Sequence, residues 1–391
     1  MSAVHGERYR AVMSDIQTPE RTSAIVIGAG QTGLAAAYWL NRLRVPCIVL
    51  DQNARVGDQW RHRYDSLRLN TPASWDGLPG MRFPGPSFSF PTGQDMGDFL
   101  DAYARSLHLD VRTRVTVHSV DRQADGHWQV TSEDATFISD AVVVAIGGEN
   151  RPHVPPFANR LDPGIRQLHS SDYHHPAQLL PGSVLVVGAG QSGADLAVEA
   201  ARAGHDTTLA GRINGEVPVP LESGRMRLAA PVLWFLARYV LTTRTRRGRR
   251  MQSEVRVSGT PLVRVHRVDL DAAGVDLTEQ HVTGTLDGMP VLADGRVLDV
   301  ANVIWCTGFG HDFGLIHPSV ADETGWPADV GGVVPALPGL YFVGLIFQRG
   351  FYSMLIHGAG IDARYIAHQV ARRLSGSGVR PIRDLDAVVV E

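Results

Sequence analysis

The feature that most constrains this chain is a glycine pattern that occurs twice. Residues 28–33 and residues 188–193 share the form GxGxxG, at a separation of 160 residues. Each follows a short apolar run and precedes a stretch with helical spacing, which is the strand–turn–helix context of a dinucleotide-binding unit. A repeat of this length indicates two similar domains and not a solenoid.

In such a unit each glycine has its own physical reason. The first permits a tight turn, the second lets the backbone approach a pyrophosphate, and the third lets helix and strand pack closely. The helix N-terminus adds unpaired N–H groups and partial positive charge for the phosphates. The predicted cofactor-binding residues are therefore Gly28, Gly30, Gln31, Thr32 and Gly33 in the first unit, and Gly188, Gly190, Gln191, Ser192 and Gly193 in the second.

The end of the following strand differs between the two units. Asp51 lies 18 residues after Gly33, where a carboxylate can accept hydrogen bonds from ribose hydroxyls. Arg212 lies 19 residues after Gly193, where a guanidinium can pair with a 2′-phosphate. The second unit is therefore expected to prefer NADPH to NADH, the alternative being a solvated surface arginine. Two dinucleotides in one chain predict hydride transfer from nicotinamide to a flavin.

Composition excludes several function classes. The net charge of −3 argues against nucleic-acid binding. The two cysteines, Cys47 and Cys306, form no CxxC pair, so neither a disulfide framework nor a dithiol redox centre is expected. The histidines lack metal-ligand spacing, and no metal is expected. No stretch is long and apolar enough for a signal peptide or a membrane span, so a cytoplasmic protein that is not integral to a membrane is expected.

The predicted fold class is α/β, with two Rossmann-like domains. We expect a flexible leader at 1–22, an FAD-binding domain from 23–158 and 311–391, and an NADPH-binding domain at 159–310 inserted within it. Strands are predicted at 23–27, 46–50, 115–120, 127–131, 141–145, 183–187, 205–210, 303–305 and 340–343, and helices at 31–44, 96–107, 191–203 and 360–374. Asp294-Gly295 predicts a hairpin turn.

Five further segments carry a family resemblance. Residues 57–60 (GDQW) resemble a GGxW element near FAD, and residues 63–72 (RYDSLRLNTP) resemble a segment beside the isoalloxazine. Residues 145–147 (AIG) and 306–309 (CTGF) resemble two ATG-type linkers, and residues 347–351 (FQRGF) resemble an element returning to the FAD domain. Over about residues 23–375 the chain resembles the class B flavoprotein monooxygenases, particularly the flavin-containing monooxygenase and YUCCA-like branch.

One family fingerprint, FxGxxxHxxx, is only partly present. Its end is retained as His169-Ser170-Ser171-Asp172-Tyr173, but Pro163 and Ile165 stand where the family has Phe and Gly. Baeyer–Villiger members usually carry Trp at the position of Tyr173. The resemblance therefore favours N- or S-oxygenation, or YUCCA-like oxidation of a 2-oxo acid.

The resemblance implies FAD and NADPH as cofactors, and O2 and a small organic molecule as reactants, with oxygenation through a flavin C4a-(hydro)peroxide. It implies Asn70 and Gln348 as catalytic residues. It adds further cofactor-binding residues: Gln59, Trp60, Leu69, Val115, Gly147, His169, Thr307 and Gly308. A homodimer is left open.

Three alternatives also stay open. The first alternative to a monooxygenase is an NADPH-dependent flavin reductase or oxidase without oxygen insertion. The second is a non-catalytic NADPH-binding module. The basic run Arg244–Arg250 is expected to be a lid or inter-domain segment, the alternative being contact with membrane lipids.

Overall fold

The computed structural model describes residues 18–258 and 261–376. Most of the predicted leader lies outside the described residues, and the first strand begins at Glu20, inside the predicted leader. In chain order the strands are β1 Glu20–Ile27, β2 Cys47–Leu50, β3 Val111–Arg112, β4 Val117–Arg122, β5 Trp128–Ser132, β6 Thr136–Val144, β7 Arg151–Pro152, β8 Arg166–His169, β9 Val184–Val187, β10 Thr207–Ala210, β11 Asp276–Thr278, β12 Val282–Leu286, β13 Met289–Leu292, β14 Asn302–Trp305, β15 Phe309–Gly310, β16 Ile316–His317 and β17 Leu340–Phe342.

Helices follow the two predicted glycine turns and also occur where none was predicted. They are α1 Gln31–Arg42, α2 Asp58–Arg61, α3 Gly93–Ser106, α4 Gln191–Arg202, α5 Gly224–Phe235, α6 Arg246–Ser258, α7 Arg267–Ala272 and α8 Ile356–Leu374. A π-helical turn, Leu236–Val240, continues α5. Short 3₁₀ turns occupy Ala73–Trp75, Pro156–Arg160, Pro176–Gln178 and Phe351–Met354.

The larger sheet has the order β16-β4-β5-β6-β1-β2-β3, and β17 also pairs with β6. Its centre is parallel, since β1 pairs in parallel with both β2 and β6. The strands β4, β5 and β6 form an antiparallel meander. Helix α1 packs on this sheet together with α8, and both contribute to one core that includes Leu34, Leu40, Ile366 and Val370.

The smaller sheet has the order β11-β10-β9-β14-β8 and is parallel throughout. All residues of β9 and β14 are buried, as expected for central strands that are covered on both faces. Helix α4 follows β9 through the second glycine turn. The two sheets with their βαβ turns confirm the predicted α/β class with two Rossmann-type units.

Two chain crossings join the sheets. One runs from β6 towards β8, and the other from β14 towards β16. They lie side by side, because β7 in the first pairs antiparallel with β15 in the second. This two-stranded connection is called the linker ribbon below.

Several element bounds differ from the predicted ones for local reasons. Helix α3 begins three residues early because Thr92 caps it: the Thr92 hydroxyl accepts from the Asp95 N–H at 3.1 Å, and the Asp95 carboxylate accepts from the Thr92 N–H at 2.9 Å. Helix α8 begins at Ile356, four residues before the predicted start. Helices α2, α5, α6 and α7 were not predicted.

Candidate functional site

One cavity of about 900 Å³ contacts both glycine turns. The first turn contributes Gly28, Gly30, Gln31 and Thr32 to its wall, and the second contributes Gly190, Gln191, Ser192 and Gly193. Parallel strands place their carboxyl ends at one edge of each sheet, and here the two edges face the same space. The structure therefore brings both predicted dinucleotide turns to one site.

The first and third glycines of each turn are required by the chain's own packing. A Cβ added at Gly28, whose φ is +103°, would lie 2.6 Å from the Ala145 oxygen, and one at Gly33 would lie 1.9 Å from the Gly28 oxygen. The second turn repeats this: a Cβ at Gly188 would lie 2.3 Å from the Cys306 oxygen, and one at Gly193 would lie 1.8 Å from the Gly188 oxygen.

The second glycine of each turn, unlike the first and third, is not required by the packing of the chain. A Cβ at Gly190 would meet nothing within 4 Å, and one at Gly30 would approach only the Gln59 side chain, at 3.3 Å. Both positions line the cavity. The protein's own packing therefore leaves room for a side chain at both positions. The absence of a side chain there lets a ligand in the cavity approach the backbone closely. This arrangement fits a pyrophosphate at each helix start.

Asp51 and Arg212 lie at the ends of corresponding strands. The Asp51 carboxylate is buried, and its Oδ2 accepts from the Ala29 N–H at 2.6 Å, so it braces the first glycine turn while it lines the cavity. Arg212 is exposed and also lines the cavity. The two units therefore place side chains of opposite charge at corresponding strand ends.

Gln59 and Trp60 lie on short helix α2 and line the cavity. The Trp60 indole N–H donates to the Gln31 side-chain oxygen at 3.2 Å, which joins α2 to the first glycine turn. Both polar atoms of the Gln59 amide are buried and have no hydrogen-bond partner among the described residues. A buried amide with free donor and acceptor atoms on a cavity wall fits a polar ligand there.

The linker residues fall into two groups. Gly147 and Gly308 line the cavity with φ of +76° and +78°, and a Cβ at either would meet nothing within 4 Å. His169 and Thr307 do not line it. The His169 Nε2 lies 3.1 Å from the Gly308 oxygen, and Thr307 donates to the His153 carbonyl, so both hold the second linker in place. Burial lowers the pKa of His169 and favours the neutral ring.

The structure does not bring Asn70 or Gln348 to the cavity wall. Asn70 is exposed, and Gln348 is buried with its amide donating to the Phe342 carbonyl at 3.0 Å. Leu69, which precedes Asn70 in the sequence, is buried, and its carbonyl accepts from Arg264 at 2.7 Å. Val115, by contrast, lines the cavity as expected from the resemblance. Of Asn70, Gln348, Leu69 and Val115, only Val115 therefore lines the cavity.

Sequence reasoning missed Glu149, which lines the cavity. Burial raises the pKa of its carboxyl, while the charges of Arg63 and His311 act in the opposite direction. The signal was present in the sequence, because Glu149 directly follows Gly147-Gly148 at the end of a buried strand.

It also missed a part-buried contact between the segment after α2 and helix α4. The Tyr64 hydroxyl donates to the Asp195 Oδ2 at 2.7 Å, across 131 residues of sequence. Burial raises the pKa of both groups, and the charge of Asp195 adds to the effect on Tyr64. No local pattern indicates a pair this far apart.

Within residues 18–258 and 261–376, no group of three or more His, Cys, Asp or Glu side chains is arranged to hold a metal ion. In the same ranges, no helix has the length and apolar content needed to cross a membrane.

A family model for pyridine nucleotide-disulphide oxidoreductases matches residues 25–218, which include both glycine turns. The chain is 33% identical over 347 residues to an uncharacterized CzcO-like oxidoreductase of Geobacillus kaustophilus, covering 88% of this chain and 97% of the relative.

Two further likenesses point the same way. A probable indole-3-pyruvate monooxygenase, YUCCA3 of Arabidopsis thaliana, is 27% identical over 389 residues, covering 89% of this chain and 86% of the relative. The flavin-containing monooxygenase from Stenotrophomonas maltophilia superposes with a TM-score of 0.72 at 24% identity, covering 91% of this chain and 99% of that structure. The fold of the two units is thus shared with flavin-dependent oxygenases over nearly their whole length.

Proposed function

Because this chain belongs to the class B flavoprotein monooxygenases, we propose that it is an NADPH- and O2-dependent FAD monooxygenase that oxygenates a small organic substrate. The observation that carries the proposal is the single cavity shared by two glycine turns, each with a middle glycine that only a ligand requires. When bound, FAD and NADPH supply the hydride acceptor, the hydride and the reduced ring that activates O2.

The residues of the first unit would hold FAD. Backbone N–H groups at the start of α1 face the cavity beside Gly30, where they can bind phosphate oxygens. The Asp51 carboxylate lies at the end of β2. Its Oδ2 accepts from the Ala29 N–H, and its Oδ1 accepts from the backbone and side-chain N–H groups of Asn53, so the second lone pair of Oδ2 can accept from a ribose hydroxyl. The unpartnered Gln59 amide can bind a polar edge of the ring system.

The residues of the second unit would hold NADPH. The start of α4 offers the same backbone groups beside Gly190, and Arg212 can pair with a 2′-phosphate. Burial lowers the pKa of His169, and this ring positions the second linker through its contact with the Gly308 oxygen. Asn70 and Gln348 are not among the residues that line this cavity, and a catalytic role for either of them stays a prediction.

The division of the chain is part of the proposal. We assign residues 23–158 and 311–391 to the FAD domain and 159–310 to the NADPH domain. The larger sheet and α8 support the first assignment, and the smaller sheet supports the second. A cytoplasmic location and a homodimer stay predictions, and size-exclusion chromatography of the purified protein tests the latter.

The decisive experiment follows oxygen from O2 into product. The purified holoenzyme is incubated with NADPH and isotopically labelled O2, with tertiary amines, sulfides and 2-oxo acids as separate substrates. The named activity of the Arabidopsis relative makes aryl 2-oxo acids the first class to test. We expect at least one class to stimulate NADPH consumption and to give a product carrying one labelled oxygen atom.

Two outcomes would favour the alternatives. If every substrate leaves NADPH consumption unchanged and all electrons appear as hydrogen peroxide, the protein is an oxidase or reductase without oxygen insertion. If the purified protein is colourless and binds no flavin on reconstitution but does bind NADPH, it is a binding module.

A prediction about Arg212 tests the nucleotide assignment. In the Arg212→Ala variant, loss of a charge-assisted pair should lower kcat/KM for NADPH by roughly ten- to a hundredfold and leave that for NADH nearly unchanged. Arg202→Ala removes an exposed arginine from the last turn of α4, away from the cavity, and serves as the matched control. Equal loss with both nucleotides would show that Arg212 does not recognise the 2′-phosphate.

A further inference from the structure

An exposed apolar stripe runs along α5. Leu228 and Val232 are 83% and 61% exposed, and Phe235 is exposed one turn later. Their spacing of four and three residues places the three side chains on one helix face. Exposure continues through Leu236 and Tyr239 in the π-helical turn. A contiguous apolar face of this kind on a folded protein marks an interaction surface.

The opposite face of the same helix is anchored to the protein. Ala230 and Ala237 are buried, and the Trp234 ring lies 5.7 Å from that of Trp75 and 4.8 Å from that of His357, measured between centroids. The chain that follows is tied down as well, since the Phe351 N–H donates to the Leu241 carbonyl at 2.8 Å. The apolar stripe therefore belongs to a docked helix with two distinct faces.

The charge around the stripe is one-sided. Residues 224–250 contain eight arginines and no aspartate or glutamate, in a chain whose net charge is −3. Arg225 precedes Leu228 by three residues and so shares its helix face. Beyond α5, Arg246, Arg247 and Arg249 are exposed in the first turn of α6. Among the described residues near this run, Glu254 pairs with Arg250 at 2.9 Å.

This charge decides between two occupants of the stripe. A second copy docked through the same face would bring together two surfaces that each carry several exposed arginines, and like charges at an interface oppose association. An anionic lipid surface complements both features, because its headgroups attract arginine while apolar side chains insert at the headgroup boundary.

We propose that residues 224–250 form a docking surface for anionic lipid membranes, on which the protein lies without spanning the bilayer. The α5 stripe inserts, and the flanking arginines bind lipid phosphates. This goes beyond the proposed oxygenation, which needs no lipid, so either can fail without the other.

The test is co-sedimentation of the purified holoenzyme with vesicles. One set is phosphatidylcholine alone, and the other contains about 30% phosphatidylglycerol, a fraction chosen to give an anionic surface. We expect binding to the anionic vesicles, weaker binding to the neutral ones, and a decrease when salt is raised from about 50 mM to about 500 mM. The Leu228→Ser/Phe235→Ser double variant should bind at least about tenfold more weakly.

Matched controls separate docking from general stickiness. Leu286→Ser/Val330→Ser removes two apolar residues that are 54% and 69% exposed elsewhere on the surface, and should leave vesicle binding unchanged. Arg246→Gln/Arg247→Gln should weaken binding to anionic vesicles only, whereas Arg105→Gln, an exposed arginine on α3, should not.

Three results would overturn the proposal: no binding to either vesicle, equal binding to both, or equal losses in stripe and control variants. A wild-type dimer that becomes a monomer in the stripe variant would instead assign the face to a second copy. Circular dichroism and flavin content of each variant show whether it is folded.

Discussion

The glycines of the two turns have two different roles, packing and ligand binding. An added Cβ distinguishes these roles, because it clashes with the protein only where packing requires glycine. Gly193 sits where an added Cβ would lie 1.8 Å from the Gly188 oxygen, whereas Gly190 has open space beside it. Substitution at the first should therefore act on folding, and substitution at the second on ligand binding.

We expect Gly190→Ala to keep nearly the wild-type free energy of unfolding and to raise the Kd for NADPH about tenfold, the equivalent of one weakened charge-assisted hydrogen bond. Gly193→Ala should cost about 3 kcal/mol of stability through overpacking. Urea unfolding and fluorescence titration with NADPH measure both. If the Gly190→Ala variant bound NADPH with unchanged affinity, the pyrophosphate of NADPH would not bind at that turn.

A second residue-scale prediction concerns Asp76, which is fully buried and whose Oδ2 has no hydrogen-bond partner among the described residues. Burial raises the pKa of its carboxyl to about 7, although the Thr71 hydroxyl acts in the opposite direction. A raised folded-state pKa contributes stability that is present below the unfolded pKa and is lost as pH rises through the folded pKa. Asp76 therefore stabilises the fold in acid and less so above neutrality.

Relative to Asp76→Asn, the wild type should lose about 3 kcal/mol of unfolding free energy between about pH 5 and about pH 8. Urea unfolding of both proteins at several pH values gives the difference. The control is Asp134→Asn, at an exposed position, for which the difference from wild type should stay constant. A pH-independent difference for Asp76→Asn would show that Asp76 is ionised throughout.

At the scale of elements, the start of α3 offers a direct stability test. Thr92→Ala removes the hydroxyl that accepts from the Asp95 N–H and should lower the free energy of unfolding by about 1 kcal/mol. Thr92→Ser keeps an oxygen at the same place and should retain most of that stability. If alanine and serine give equal losses in urea unfolding, the cap does not stabilise the helix.

The elements that sequence reasoning predicted are those with regular patterns. The βαβ units followed from apolar runs beside glycine turns, and the Asp294-Gly295 turn is confirmed by the Leu292 N–H donating to the Arg296 carbonyl at 2.9 Å. A second Asp-Gly turn, Asp287-Gly288, was missed. It closes the hairpin between β12 and β13, with φ of +49° and +80°.

Other features were not predictable from local pattern. Helix α5 presents apolar residues to the outside, which reverses the pattern of an ordinary surface helix, and it carries Pro231 within its span. The cavity residues on α2 and the linkers were found through a family resemblance. Asn70 and Gln348, taken from the same resemblance, are not among the residues that line the cavity, and their catalytic role stays a prediction.

For the whole molecule, the part-buried hydrogen bond between Tyr64 and Asp195 joins the segment after α2 to helix α4. Tyr64→Phe leaves a buried carboxyl without its donor and should cost about 1–3 kcal/mol in unfolding free energy. Ser66→Ala removes the neighbouring exposed bond to Glu199 and is the matched control, with an expected loss below about 0.5 kcal/mol. Equal effects in urea unfolding would contradict a special role for the buried pair.

The linker ribbon limits how these units can move. Because two adjacent strands connect the units along one edge, we expect a hinge rotation about that edge and not a shear motion in which the units slide past each other. The unit proposed to bind NADPH would then rotate away from the cleft while FAD stays bound to the other unit. The nicotinamide nucleotide could therefore exchange many times while one FAD molecule remains bound. Pairs of distance probes across the cleft should trace that rotation, with separations growing in proportion to their distance from the ribbon.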